Sequence, residues 1–255
     1  MTHSSEEQFC VYLYDRLVGR LHRRYDLTRF VFEDRYWDDP NRAVLGLRFE
    51  ENPRARHQSN MRLPPWFSNL LPEGRLREWI AQARRSSTER EMELLAQVGH
   101  DLPGAVRVLA ADKMVPVDLG DGGDSSGQQG SFIGSLWSFS LAGVGLKFSM
   151  LARGDRLVVP ARGERGDWIA KLPDPTYPGV PQNELAMMTL AKAVGIDVPE
   201  IRLVHRDEME PLPERVWSGQ DRLFAVKRFD RGPGRELIHI EDLAQVRGFY
   251  PDKKY

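Results

Sequence analysis

The residues best suited to chemistry in this 255-residue chain are a glycine turn, two lysines and a glutamate. In SLAGVGLKFSM (140–150), Gly143 and Gly145 flank Val144, and Leu146 and Lys147 follow. Glycines so placed let backbone N–H groups approach a phosphate, while Ser140 and Lys147 add a hydroxyl and a cation at either end of the turn. Because residue 148 is Phe, the segment fits neither G-x-x-x-x-G-K-[ST] nor G-x-G-x-x-G, and a glycine hairpin with a solvated lysine remains open. Lys171 lies in the apolar strand pattern WIAKLP, where a buried ammonium requires a partner. Glu184, opening the next helical pattern, is the candidate; the plainer alternative is an edge-strand lysine with its head in water and a glutamate favoured by the helix N-terminus. The six histidines are scattered without metal-ligand spacing, and Cys10, inside the apolar run FCVYLY, reads as buried and inert.

The elements that must position these groups follow from periodicity. Phe9–Tyr14 and Leu17–Leu21 predict a hairpin turning at Asp15-Arg16, and Phe30–Phe32 and Ala43–Phe49 predict further strands of a small antiparallel sheet. Leu76, Trp79, Ile80 and Ala83, then Met92, Leu94, Leu95 and Val98, recur at helical spacing, with Gly99 as a C-cap and GAVRVLA as a returning strand. Residues 118–131, DLGDGGDSSGQQGS, hold no periodic apolar residue and read as a linker or loop. Beyond them come strands over Leu141–Leu151, Arg156–Val159 and Trp168–Leu172, a helix over Asn183–Val194 stopped by Gly195, a loop and strand over Ile196–Val204, and a strand over Leu223–Phe229. A last helix begins at His239–Val246.

Composition sets the outer limits. With 36 Lys+Arg against 37 Asp+Glu, a net charge of -1 and 41% hydrophobic residues, the chain reads as a globular protein rather than a general nucleic-acid binder. Its acidic start does not resemble a signal peptide and no run is long enough to span a bilayer, so a cytoplasmic location without membrane partners is expected.

The order strand, glycine turn, strand, strand with Lys, helix with Glu, strand, strand is similar to the small lobe of a protein kinase. On that plan Lys171 holds nucleotide phosphates and Glu184 orients it. Val226–Phe229, in LFAVKRFDR, form the hinge that meets adenine, with Lys227 beside it and Phe229 as an apolar wall. The segments LPPWFSNLLPEG, LLAQVGHDLPGAVRV, SLAGVGLKFS, WIAKLP, NELAMMTLAKAVGIDVPE, LFAVKRFDR and HIEDLAQV together resemble the HipA-family toxins, Ser/Thr protein kinases of bacterial toxin-antitoxin systems.

The resemblance covers nearly the whole chain. It implies an α+β fold: a HipA-like N-terminal sheet-and-helix subdomain (1–117), the linker (118–131), and a kinase small lobe (132–255) with an antiparallel sheet and one main helix. It also implies that Ser140 is the autophosphorylated serine, that Gly143, Val144, Gly145, Leu146 and Lys147 form the phosphate loop, and that Lys171, Glu184, Val226, Lys227 and Phe229 face ATP. Two positions depart from the family pattern. Gly145 replaces a common Gln, implying a looser loop, and Lys227 replaces a common Glu, leaving adenine recognition to the backbone.

ATP and magnesium are the implied cofactors. The transfer step, however, needs an aspartate for the attacking hydroxyl and an Asn and Asp for magnesium. No Asp here has Asn at the fifth position after it, and the His205-Arg206-Asp207 run precedes the hinge, so it reads as a polar turn before the loop DEMEPLPERVWSG. The expectation is therefore a HipA-like kinase lacking its large lobe, with no catalytic or metal-binding residues of its own and inactive alone. The implied partners are a helix-turn-helix antitoxin, DNA only through that antitoxin, a complementary lobe, and a protein substrate such as an aminoacyl-tRNA synthetase. The alternative is a non-catalytic, pseudokinase-like binding module. On either reading Phe249-Tyr250 would face the missing lobe and leave an apolar patch exposed.

Overall fold

The structure, a computed structural model, describes residues 6–53, 55–111, 145–161 and 164–254. Ser140, Gly143, Val144 and the linker 118–131 lie outside the described residues.

The first sheet begins with β1 (Glu7–Leu13), β2 (Arg16–Arg24) and β3 (Leu27–Phe32). Phe9, Val11 and Leu13 alternate into the core, as the period of 2 requires. The turn is Tyr14-Asp15 rather than Asp15-Arg16: Leu13 already pairs with Arg16, and Tyr14 adopts φ 55°. A bulge pairs Val11 with Gly19 and Tyr12 with Leu17. Gly19 has no substitute there, because a Cβ would lie 2.5 Å from the Phe30 ring and from the Val31 carbonyl oxygen.

Next come α1 (Asp34–Trp37), α2 (Leu47–Glu51), β4 (His57–Asn60), α3 (Pro65–Ser68), α4 (Gly74–Ala83), α5 (Glu91–Val98) and β5 (Val106–Ala110). The strand order is β4-β3-β2-β1-β5, with antiparallel neighbours throughout. Ala43–Phe49, expected as strand, instead enters a short helix. Leu45 and Phe49 are buried four residues apart while Leu47 is exposed, and the α2 N-terminus is satisfied from far away, the Leu47 N–H donating to Glu241 Oε2 at 2.9 Å. Gly99 follows α5 but is not a left-handed cap, since its φ is -62°. Close approach requires it: an added Cβ would sit 2.1 Å from the Val108 carbonyl oxygen.

The second sheet contains β6 (Lys147–Arg153), β7 (Arg156–Val158), β8 (Trp168–Lys171), β9 (Ile201–His205) and β10 (Arg222–Lys227), ordered β7-β6-β8-β10-β9. Helix α6 (Val180–Ala193) lies between β8 and β9 in sequence and packs against β9 and β10. It starts a turn earlier than its periodicity indicates, with Pro181 in the first turn, and Gly195 follows it at φ 88°. The chain after β9 is not a free polar loop. Met209 bridges Leu157 of β7, the opposite edge, and Met209, Leu212, Val216 and Trp217 are buried, curling the sheet into a half-barrel. His205-Arg206-Asp207 is the turn that opens this crossing, the His205 ring accepting from the Asp207 N–H.

The chain then returns to the first subdomain, where α7 (Leu243–Arg247) is set by a capping box between Asp242 and Gln245 and stopped by Gly248 at φ 68°. Its flanks dock through Glu241, which accepts from Trp66 Nε1 at 2.6 Å, and His239, whose Nε2 meets the Leu45 carbonyl at 2.8 Å. Tyr250 shares a hydrogen bond of 2.8 Å with Ser59 and lies 3.9 Å from the Arg62 guanidinium. Of the patch expected at Phe249-Tyr250, Tyr250 is therefore docked on the N-terminal subdomain, whereas Phe249 stays exposed at 46%, with Leu243 of α7 at 77%. The apolar side chains left outermost include Leu190 and Val194, at 56% and 68% exposure, at the end of α6.

Candidate functional site

Antiparallel register sets the site. Lys147 on β6 and Phe224 on β10 both pair with Lys171 on β8, and Ser149 and Val226 both pair with Ile169. Since alternate residues share a face, Lys147, Ser149, Ile169, Lys171, Phe224 and Val226 lie on one side of the sheet. Phe148, Ala170 and Ala225 fill the core on the other.

Lys171 forms an ion pair with Glu184 from the second turn of α6, and its ammonium lies 5.6 Å from the Phe224 ring centroid. The structure thus brings together the two residues that the sequence placed on a strand and a following helix. Lys147, directly opposite Lys171, is half-buried. Burial and the neighbouring Lys171 cation pull its ammonium down to about 8 from its ordinary 10.5, against the attraction of Glu73 and Glu184. Glu73 comes from the N-terminal subdomain and also accepts from Lys254 at 3.0 Å. Gly145 has open space where a side chain would be, and Leu146 turns into the core.

The weakened proton affinity of Lys147 makes stability depend on pH. Between pH 8 and 10.5 the unfolded chain binds more protons at this group than the folded chain does, so its contribution to stability rises with pH across that window. Anion affinity on this face should move the opposite way, falling as the Lys147 charge is lost above about 8. Urea midpoints at pH 7, 8.5 and 9.5 check the first trend, which Lys147→Met should flatten.

Past β10 the chain carries the hinge candidates. Val226 and Lys227 remain in the strand, and the Lys227 N–H donates to the Glu200 carbonyl at 2.8 Å. Phe229 is 66% exposed between Arg228 and Asp230, both buried. Among the described residues, neither the N–H nor the C=O of Phe229 has a hydrogen-bond partner.

Sequence reasoning missed why Phe229 is so presented. Arg228 donates from Nε and Nη2 to Asp230 at 2.9 and 2.7 Å, and from Nη1 to Asp101 at 3.1 Å. Arg231 reaches the same acids, at 2.9 Å each. Asp101 also accepts from Ser149 at 2.7 Å, and Asp230 from the Gly104 N–H at 2.8 Å. Two carboxylates and two guanidiniums, all nearly inaccessible, therefore join the N-terminal subdomain to the second sheet. Burial opposes the Arg228 charge, but the carboxylates outweigh it and hold the guanidinium above its usual range, while Arg228 overcomes burial at Asp230 and holds that carboxyl below its own. The one hint in the sequence was the charge pattern Arg-Phe-Asp-Arg directly after an apolar strand.

Chemically, the face offers two lysines in register for phosphate, a half-buried apolar strip at Ile169 and Val226 for a planar ring, and an unpaired backbone step at Phe229. These groups fit a nucleotide. Among the described residues no group of three His, Cys, Asp or Glu could hold a metal ion, and no helix is long and apolar enough to cross a membrane.

A curled antiparallel sheet whose lysine pairs with a glutamate on helix α6 defines a kinase-like small lobe. The chain belongs to the HipA family: residues 9–109 match the HipA N-terminal domain and residues 139–255 the HipA-like C-terminal domain. It is 42% identical to "Putative kinase Y4dM" of Sinorhizobium fredii, over 96% of this chain and 60% of that protein. It is 24% identical to the serine/threonine-protein kinase toxin HipA of Shewanella oneidensis, over 96% of this chain and 56% of that one. The chain spans about six-tenths of the length of the curated relatives it matches. Among solved structures, the complex of Shewanella oneidensis HipA, HipB and operator DNA contains a chain of the same fold, with TM-score 0.64, 20% identity, and coverage of 97% of this chain and 57% of that one.

Proposed function

We propose that residues 1–255 form the nucleotide-holding part of a HipA-like Ser/Thr protein kinase, a toxin restrained by a helix-turn-helix antitoxin. The observation that carries this reading is the Lys171–Glu184 ion pair on the face shared with Lys147. Glu184 holds the Lys171 ammonium in place for nucleotide phosphates, Ile169 and Val226 line the base, and the Phe229 backbone meets the base edge. Magnesium would arrive with the nucleotide, which is a substrate here. The 255 residues contain no D-x-x-x-x-N sequence, so bound nucleotide is held without transfer to a protein. Cytoplasmic location, indirect contact with DNA and, for the kinase as a whole, phosphorylation of a host protein belong to the same proposal.

Calorimetric titration of the chain with magnesium-ATP tests it. Loss of a charge-assisted phosphate contact is worth about 1.5–3 kcal/mol, so Lys171→Ala should weaken binding about tenfold to a hundredfold. Equal binding by the two chains would reject the reading. A non-catalytic module that binds an antitoxin or a complementary lobe has the exposed apolar end of α6 in its favour. On that alternative, antitoxin association survives Lys171→Ala while nucleotide affinity is absent in both chains.

A further inference from the structure

We infer that Asp101, a residue of the N-terminal subdomain, is a positioning residue for the base-binding side of the nucleotide site. The inference rests on the nucleotide reading above and adds that the first subdomain shapes the site itself. Asp101 lies in the loop between α5 and β5, is 1% exposed, and touches no part of the phosphate-facing lysine pair.

Its contacts run to the other side of the site. Oδ1 accepts from Arg228 and from Arg231, at 3.1 and 2.9 Å, and so clamps the two arginines that bracket Phe229-Asp230. Oδ2 accepts from Ser149 on β6 at 2.7 Å, and Ser149 in turn accepts from Arg228 at 3.1 Å. Gly166 packs at the same point, where an added Cβ would lie 2.2 Å from Ser149 Oγ.

The consequence falls on Phe229. Its neighbours on both sides are fixed in the ion cluster, and the Arg228 N–H donates to the Asp167 carbonyl at 2.9 Å. The Phe229 ring therefore projects outward and its own N–H and C=O stay available. Without the Asp101 charge the cluster holds two guanidiniums against one carboxylate, and the arginines repel one another. The 228–231 segment would then lose the geometry that presents Phe229, whereas Lys147, Lys171 and Glu184, held by the sheet and α6, would not move.

That separation makes a positioning role distinguishable from a merely structural one. Adenosine probes the base side and inorganic tripolyphosphate probes the lysines. Both are titrated calorimetrically into the 255-residue chain, with thermal unfolding recorded for every variant. Asp101→Asn should weaken adenosine about tenfold and leave tripolyphosphate within about twofold, while Lys171→Ala should give the reverse pattern. Ser149→Ala, a gentler loss from the same cluster, should shift adenosine about threefold in the same sense and carries the test if Asp101→Asn fails to fold. Equal weakening of both probes, or of neither, would overturn the inference while leaving the nucleotide reading intact. Failure of the unsubstituted chain to bind either probe would remove the nucleotide reading and the inference together.

Discussion

Arg228→Ala is expected to destabilise the chain by about 3–5 kcal/mol, the usual cost of removing one partner from a buried ion cluster. The side chain is fully inaccessible and donates to Asp101, Asp230, Ser149 and the Leu102 carbonyl. Alanine would leave two buried carboxylates facing only Arg231, one uncompensated negative charge in a place that water does not reach. Because whole domains are stable by about 5–15 kcal/mol, this single change removes about a fifth of the total or more. Urea unfolding followed by tryptophan fluorescence measures it. The penalty comes from the stranded charge, so Arg228→Met combined with Asp230→Leu, which leaves Asp101 paired with Arg231, should recover much of the loss. A double variant no more stable than Arg228→Ala would show that shape and hydrogen bonding, rather than charge balance, dominate.

The second large effect is expected at Glu91, the fully buried first residue of α5. Its carboxylate accepts from the Leu63 N–H and Ser68 Oγ at 2.8 Å each and from Arg77 at 2.9 Å, tying α3, α4 and α5 to one point. Glu91→Ala would strand a backbone donor, a hydroxyl and a partly buried guanidinium, for a loss of about 3–4 kcal/mol. Glu91→Gln keeps the shape and one acceptor oxygen but turns the other into a donor and removes the charge, and should cost somewhat less than alanine. Since α3 carries Trp66, which the 237–254 segment grips through Glu241 and Gln245, the alanine variant should also release that segment. Hydrogen exchange over residues 239–250 reads that release. Protection unchanged in Glu91→Ala would separate the α3–α5 corner from the docking of the chain end.

These two sites show where sequence reading stops. Strands and long helices were legible because burial repeats every 2 or 3.6 residues: Phe9, Val11 and Leu13 announce β1, and Leu76 and Ile80 announce α4. Lys171 and Glu184 were legible through the order of elements, a strand with lysine followed by a helix with glutamate, which resembles a kinase small lobe; residue type alone left a solvated lysine open. The short helix α2 was not legible, because its start depends on Glu241, which is 194 residues away. Gly99 looked like a cap, but what demands glycine is the carbonyl of Val108 on a strand formed later in the chain. Asp101 and Glu91 carry no local signal of their burial, since nothing adjacent to either records that arginines arrive from elsewhere in the chain.

The sequence by itself determined the α+β character, the strand lysine and helix glutamate, and the HipA resemblance. Each depends on residues close together in the chain, where spacing translates directly into a shared face. Only the tertiary structure decided that Lys147 and Lys171 stand opposite one another, that the final segment returns to the first subdomain, and that Asp101 meets Arg228. Burying a charge is unfavourable until its partner arrives, and here the partner comes from 127 residues away. No local pattern encodes that meeting, so the fold as a whole fixes both the stability of the ion cluster and the presentation of Phe229.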